Sequence, residues 1–185
     1  GVLTVGREGE GILRILDGGH VNSVGGQIEP SRRLNDNSVE VRGENSQWFI
    51  DGSLTVEGGR LEIRDGGHLQ SNDSTIAERG IGKVIVEGPG SAWDTEFLVI
   101  GSAGGIHLNI DAGGVVNVNT HLFVGSFDGS GLLNLNGGEI NVGAFLFTPM
   151  NPAINFTAGT FRFTGDHLLN DDLLDAVLGD AHAIG

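Results

Sequence analysis

The side chains best suited to chemistry come in duplicate. Asp17-Gly18-Gly19-His20 and Asp65-Gly66-Gly67-His68 each place a carboxylate three residues before an imidazole. Ser46-Gln47-Trp48 and Ser91-Ala92-Trp93 each place a hydroxyl two residues before an indole. Paired carboxylates cleave glycosidic bonds by general acid–base catalysis when they flank the bond about 5 to 9.5 Å apart. Clustered imidazoles ligate zinc, and acidic loops hold calcium. Exposed indoles pack on sugar faces. His107 and His121 stand alone, and Asp128-Gly129-Ser130-Gly131 is a faint echo of a calcium-binding β-roll repeat. Which of these chemistries is available depends on what the rest of the chain places side by side.

That positioning follows from an internal repeat. Leu3-Thr4-Val5-Gly6, Leu54-Thr55-Val56-Glu57, Leu98-Val99-Ile100-Gly101 and Leu122-Phe123-Val124-Gly125 match one another. About ten residues later each is followed by a second strand and a glycine pair: Leu13-Arg14-Ile15 with Gly18 and Gly19, Leu61-Glu62-Ile63 with Gly66 and Gly67, Leu108-Asn109-Ile110 with Gly113 and Gly114, and Leu133-Asn134-Leu135 with Gly137 and Gly138. Leu98 and Leu122 lie 24 residues apart, whereas Leu3 to Leu54 and Leu54 to Leu98 are 51 and 44, close to twice that. One unit therefore has about 24 residues, and each long interval holds two units. The second of these carries Val39-Glu40-Val41-Arg42-Gly43 to Trp48, or Val84-Ile85-Val86-Glu87-Gly88 to Trp93.

Apolar residues alternate within each segment, the pattern of a strand with one buried face. Three short strands per unit, joined at corners where glycine tolerates left-handed angles, predict an all-β right-handed parallel β-helix, or β-solenoid, over residues 1–147. Residues 148–185 read as terminal strands plus a short helix across 171–179, capped by Asn170 or Asp171 and stopped by Gly179. This end would cap the rod or connect it to further repeats.

Stacking the units predicts columns. Val21, Leu69, Val116 and Ile140 point inward, and the next position reads Asn22, Gln70, Asn117 and Asn141, a structural amide column expected to satisfy corner backbone groups from coil to coil. Asp17 and Asp65, two coils apart, would sit about 10 Å from each other, slightly beyond an inverting pair. Ala112 and Asn136 occupy the equivalent positions, so both aspartates read as corner residues and no catalytic residue is assigned. His20 and His68 share a column with Val115 and Glu139, no H-E-x-x-H motif occurs, and no metal site is assigned. No cofactor is expected, although calcium stays open without an EF-hand or β-roll motif to support it. Trp48 and Trp93 follow Gly-x-x-Ser identically and are expected to plug a recurring gap, with glycan contact as the alternative role. Thr4 and Thr55 give way to Val99 and Phe123, which breaks any ice-binding ladder, and Gly80-Ile81-Gly82-Lys83 does not match a P-loop.

Composition narrows the partners. The chain has 33 glycines but only 4 prolines in 185 residues, with no G-X-Y period, which excludes collagen. The net charge is −14 and Lys83 is the single lysine, so neither nucleic acid nor an anionic membrane surface suits it. No apolar run reaches 18 residues, and the chain opens inside a strand without a signal peptide, which reads as a fragment of something longer. Absence of cysteine removes disulfide and thiolate chemistry.

Val5 to Val21, with its Gly6-Arg7-Glu8-Gly9 and Asp17-Gly18-Gly19-His20 stretches, together with Lys83-Val84-Ile85-Val86-Glu87-Gly88-Pro89-Gly90-Ser91-Ala92-Trp93, resembles the autotransporter/PEP-CTERM-associated repeat of long exported bacterial proteins. The resemblance spans roughly residues 2 to 147; Glu57 and Asn45 depart from it where glycine is usual. It implies a secreted or cell-surface location and a structural or adhesive role, and supplies no catalytic residues. The expected function is thus a non-catalytic rigid rod. Its partners would be itself, end to end as a filament or with further repeats of the parent protein, and surface glycans. The alternatives are a β-helical carbohydrate-active enzyme and a glycan-binding module.

Overall fold

Alternating strands of this length cannot bury their apolar face alone, and stacking them in register solves that problem. The computed structural model describes residues 1–7, 9–30, 37–76, 82–101, 106–125, 131–147 and 153–165, and these form an all-β parallel solenoid with about 24 residues per turn. The strands fall into three columns. The first contains Val2–Val5, Gly25–Ile28, Leu54–Val56 and the later parts of His68–Ile76, Ala92–Ile100, Val115–Val124 and Leu132–Phe147. The second contains Ile12–Leu16, Ser38–Arg42, Gly59–Arg64, Gly82–Glu87, Ile106–Asp111 and the beginnings of Leu132–Phe147 and Ala153–Phe163. The third begins with His20–Ser23 and Gln47–Ile50 and continues through the first halves of His68–Ile76, Ala92–Ile100 and Val115–Val124. It ends on later segments of Leu132–Phe147 and Ala153–Phe163.

The core is the sum of the inward-facing rows. Val39, Val41, Leu61, Ile63, Val84, Val86, Leu108, Ile110, Leu133 and Leu135 line it from the second column, all fully buried. Each such side chain contributes about 1.5 to 3 kcal/mol by leaving water.

Turns that carry Ser-x-Trp alternate with glycine-pair turns through the first five turns because the core needs matched volumes. In the third column Val21, Trp48, Leu69, Trp93, Val116 and Ile140 stack in register. Across the core, the first column places Leu3, Gly26, Leu54, Ser74, Leu98 and Leu122 at the matching level. Each indole therefore faces the smallest residues in that row. A Cβ on Gly26 would lie 2.9 Å from Trp48 Cζ2, which leaves no room for a larger side chain beside that indole.

Corners come in two chemistries to match. Asp17 and Gly18 both have positive φ, at 52° and 80°, and Gly19 N–H closes the turn on Leu16 C=O at 2.9 Å, the pattern of a type I′ turn. Pro89 followed by Gly90, at φ 79°, closes Ser91 N–H on Gly88 C=O at 3.2 Å, the type II pattern. Of the paired corner glycines, Gly18, Gly66, Gly113 and Gly137 have positive φ. Their followers Gly67, Gly114 and Gly138 press against the backbone or core of the turn below; a Cβ on Gly67 would meet Val41 O at 2.2 Å.

Ala153–Phe163 stacks in parallel on Leu132–Phe147, so the rungs run past residue 147. Phe156, Phe161 and Phe163 take the register positions that Leu135, Ile140 and Val142 hold one turn below, and this aromatic substitution masks the repeat in the sequence. The helix expected over 171–179 lies outside the described residues.

Candidate functional site

With core and corners accounted for, the outward-facing rows remain. On the second face, Arg14 and Arg42 pair with Glu40 at 3.6 and 3.4 Å, Arg60 and Arg64 with Glu62, and Arg64 also with Glu87 at 3.0 Å. Arg14, Arg42 and Arg60 are well exposed whereas Glu40, Glu62 and Arg64 are mostly covered, and pairs at such a surface add little stability each. Further along the same face, Asn155 Nδ2 donates to Asn134 Oδ1 at 2.9 Å and Asn134 Nδ2 to Asn109 Oδ1 at 2.7 Å.

The third face carries the amide residues anticipated from the repeat, in a different arrangement. The row in register reads Asn22, Phe49, Gln70, Asp94, Asn117, Asn141 and Arg162. Asn22 and Gln70 are not stacked on each other, and neither are Gln70 and Asn117, because a Ser-x-Trp turn intervenes in each case and contributes Phe49 or Asp94. Only the upper part is a continuous ladder. Asn141 Nδ2 donates to Asn117 Oδ1 at 2.8 Å, and Asn117 Nδ2 to Asp94 Oδ1 at 2.6 Å. Asp94 Oδ2 accepts from His68 Nε2 at 2.7 Å, since an ionised carboxylate can only accept. The His68 hydrogen bond, helped by Asn117 and opposed by partial burial, holds the Asp94 carboxyl below the usual carboxylate range. The ladder ends at Asn141 Oδ1, which is shielded from water and has no donor among the described residues. Arg162, in the next rung, pairs instead with Glu139 at 3.3 Å.

Asn117 and Asn141 bond from rung to rung across the strands, and no bond from these amides to corner backbone is found among the described residues. Corner backbone is satisfied by other residues. Gly18 N–H donates to Ser46 Oγ at 3.0 Å, Gly66 N–H to Ser91 Oγ at 3.1 Å, and Ser91 Oγ donates on to Glu87 C=O at 2.6 Å. The serine of Ser-x-Trp thus stitches each corner to the one below. Asn37, fully buried, accepts from Gly11 N–H at 2.8 Å and donates to Glu29 C=O at 2.7 Å.

Trp48 and Trp93 are both 0% exposed, and their Nε1 atoms donate to Ser23 Oγ at 3.1 Å and Ser71 Oγ at 3.2 Å. An indole with no exposed face cannot stack on a sugar, so the glycan-contact role considered for these two residues is corrected to a core role. The aromatic ring that does reach solvent on this face is Phe49, 41% exposed. Asp17 and Asp65 are separated by the rung of Gly43, and both occupy positive-φ turn positions. His20 and His107 are exposed, and His121 lies 6.2 Å from the Phe97 ring. Among the described residues no group of three or more His, Asp or Glu is placed to hold a metal ion, and no helix is long and apolar enough to cross a membrane.

Alongside the ladder runs an open groove of about 520 Å³, lined chiefly by Gln70, Asp94, Asn117, Asn119, Asn141 and Arg162. Asp94, Phe49 and Arg162 were not among the residues singled out from the repeat. They become visible once the residue after each tryptophan is placed in the amide row and the phenylalanine-rich turn is stacked as one more rung.

The architecture defines a class, the parallel β-solenoids, here with corners and core that repeat and outer faces that vary. The chain is similar to the adhesin BmaC autotransporter of Brucella suis biovar 1 (strain 1330), 31% identical over 114 residues that take in 56% of this chain. It spans only 3% of the length of that protein. No known family model matches the chain, and no solved structure matches it.

Proposed function

We propose that this chain is a rigid, non-catalytic segment of an exported bacterial surface protein that serves in adhesion. The observation that carries the reading is its likeness to part of an autotransporter adhesin, joined to a solenoid whose recurrent serines and tryptophans serve corners and core. Its mechanism is geometric. Stacked turns hold the outer faces at fixed spacing and carry whatever precedes or follows them away from the cell. Kinship with the autotransporter/PEP-CTERM-associated repeat, and end-to-end stacking into filaments or onto further repeats of the parent chain, belong to the same reading.

Electron microscopy of the purified chain tests the assembly: fibres are expected, and discrete short rods would remove end-to-end stacking. Incubation with plant and bacterial polysaccharides tests the chemistry. Release of shortened chains, lost on substitution of surface carboxylates, would overturn the non-catalytic role.

A further inference from the structure

We infer that the groove on the third face binds an extended, uncharged glycan chain lying parallel to the solenoid axis. The inference rests on the adhesive reading above and names the ligand and the face. The backbone of this face has nothing to offer, since its N–H and C=O groups are consumed by the rungs on either side. A peptide strand therefore has no edge to pair with here, and recognition falls to side chains. With a net charge of −14 the chain repels polyanions, which disfavours nucleic acid and sulfated polymers.

What the side chains present is a mixed row of donors and acceptors. Each ladder amide uses one N–H, or one lone pair, on its neighbour and keeps a second of each, because an amide carries two donors and two acceptor sites. Asn141 lines the groove, and because its Oδ1 is shielded from water and equally from a ligand hydroxyl, what it can offer a ligand is its second Nδ2 hydrogen. Hydroxyl groups, which both donate and accept, are the complement of such a row. Phe49 stands next to Gln70 in the same row and supplies an exposed apolar ring for the C–H face of a sugar. From Phe49 to Arg162 the row takes five rung steps, about 24 Å at the ~4.8 Å strand spacing. A sugar ring is about as long as one such step, so the site fits several residues of a linear chain better than a single sugar.

Isothermal titration of the purified chain with cellohexaose and chitohexaose, and with the corresponding disaccharides, tests this. At least one hexaose should bind, with the disaccharide about tenfold weaker or worse. Phe49→Ala and Gln70→Ala change exposed side chains and should each weaken the hexaose by about tenfold without altering the melting temperature. Asn141→Ala should also weaken the hexaose, with a lowered melting temperature because Asn117 Oδ1 loses its donor, and Arg14→Ala on the second face should have no effect on binding. No binding of either hexaose, equal affinity for the disaccharide, binding that survives the Phe49/Gln70 double substitution, or stronger binding of a sulfated hexasaccharide would each overturn the inference. Adherence to a surface, measured in parallel, separates the two proposals. Adherence that survives the double substitution removes the groove and leaves the adhesive role standing, whereas hexaose binding by a chain that adheres to nothing removes the adhesive role alone.

Discussion

The matched volumes in the core give the sharpest quantitative test. Gly26→Leu adds a side chain whose first carbon would already sit 2.9 Å from Trp48 Cζ2 and Ile50 Cδ1 and 3.0 Å from Leu54 Cδ1. Carbon atoms prefer about 3.5 to 4.0 Å, so the substitution overpacks the turn and should cost about 3 kcal/mol. Trp48→Leu opens a cavity and removes the donor to Ser23 Oγ, for a loss of about 2 kcal/mol. Together the two changes recreate the Leu54 and Leu69 pairing found one turn later, where a leucine faces a leucine across the core. The double variant should therefore cost about 1 to 2 kcal/mol in place of the ~5 expected from additivity, a coupling of about 3 to 4 kcal/mol. Urea unfolding followed by circular dichroism measures all four proteins, with unchanged m-values as the check that one transition is being compared. Additive losses would refute the claim that volume matching across the core sets the alternation of turns.

Two further outcomes follow from corners and charge. Gly67→Ala should lose at least ~3 kcal/mol in the same urea assay because its Cβ would meet Val41 O at 2.2 Å, while Gly18→Ala should lose only about 1 to 2, from left-handed strain with Glu44 O no closer than 4.0 Å; equal losses would contradict the packing role of the second glycine. Because the Asp94 pKa is lower in the folded chain than its unfolded value of about 3.9, its stabilisation is present above that value and is lost as pH falls through the folded one; melting temperatures between pH 2 and 6 should therefore drop more steeply for the wild type than for Asp94→Asn, and parallel curves would show that Asp94 is not the group responsible.

The fold was legible because its determinants are local and repeated. Glycine pairs, alternating Leu, Val and Ile, and the Leu98 to Leu122 interval each report on a single turn, so the period and the parallel stacking could be read without knowing any contact. The amide row was legible only in part. Asn117 and Asn141 belong to successive turns and do bond, whereas Asn22 and Gln70 belong to turns separated by another whose motif looks different. Which residue a side chain stacks on depends on the intervening turn, and that turn was identified by its Ser-x-Trp without its remaining positions being placed in the rows. The tryptophans were ambiguous for a related reason. A recurring indole is equally consistent with a surface platform and a core plug until the row opposite is known, and the decisive residues, Gly26 and Ser74, are small and carry no signal of their own.

The division of labour between inside and outside bears on how such a rod can acquire binding sites. Core volumes are coupled across each turn, and corners are tied between turns by Ser46, Ser91 and backbone contacts closer than a Cβ allows, so changes there are paid in stability. The outward rows are joined between turns only by side-chain hydrogen bonds and ion pairs, which leaves their residue types freer to vary than those of core and corners. Over the same scaffold the second face carries ion pairs at one end and an asparagine ladder at the other, and the first face passes from Thr4, Gln27, Thr55 and Thr75 to Val99 and Phe123. Each row offers one side chain per ~4.8 Å in a straight line, which favours ligands that are themselves linear and repetitive. A long protein built from such turns can therefore hold several distinct linear sites along one rod, and the third-face groove would be one of them.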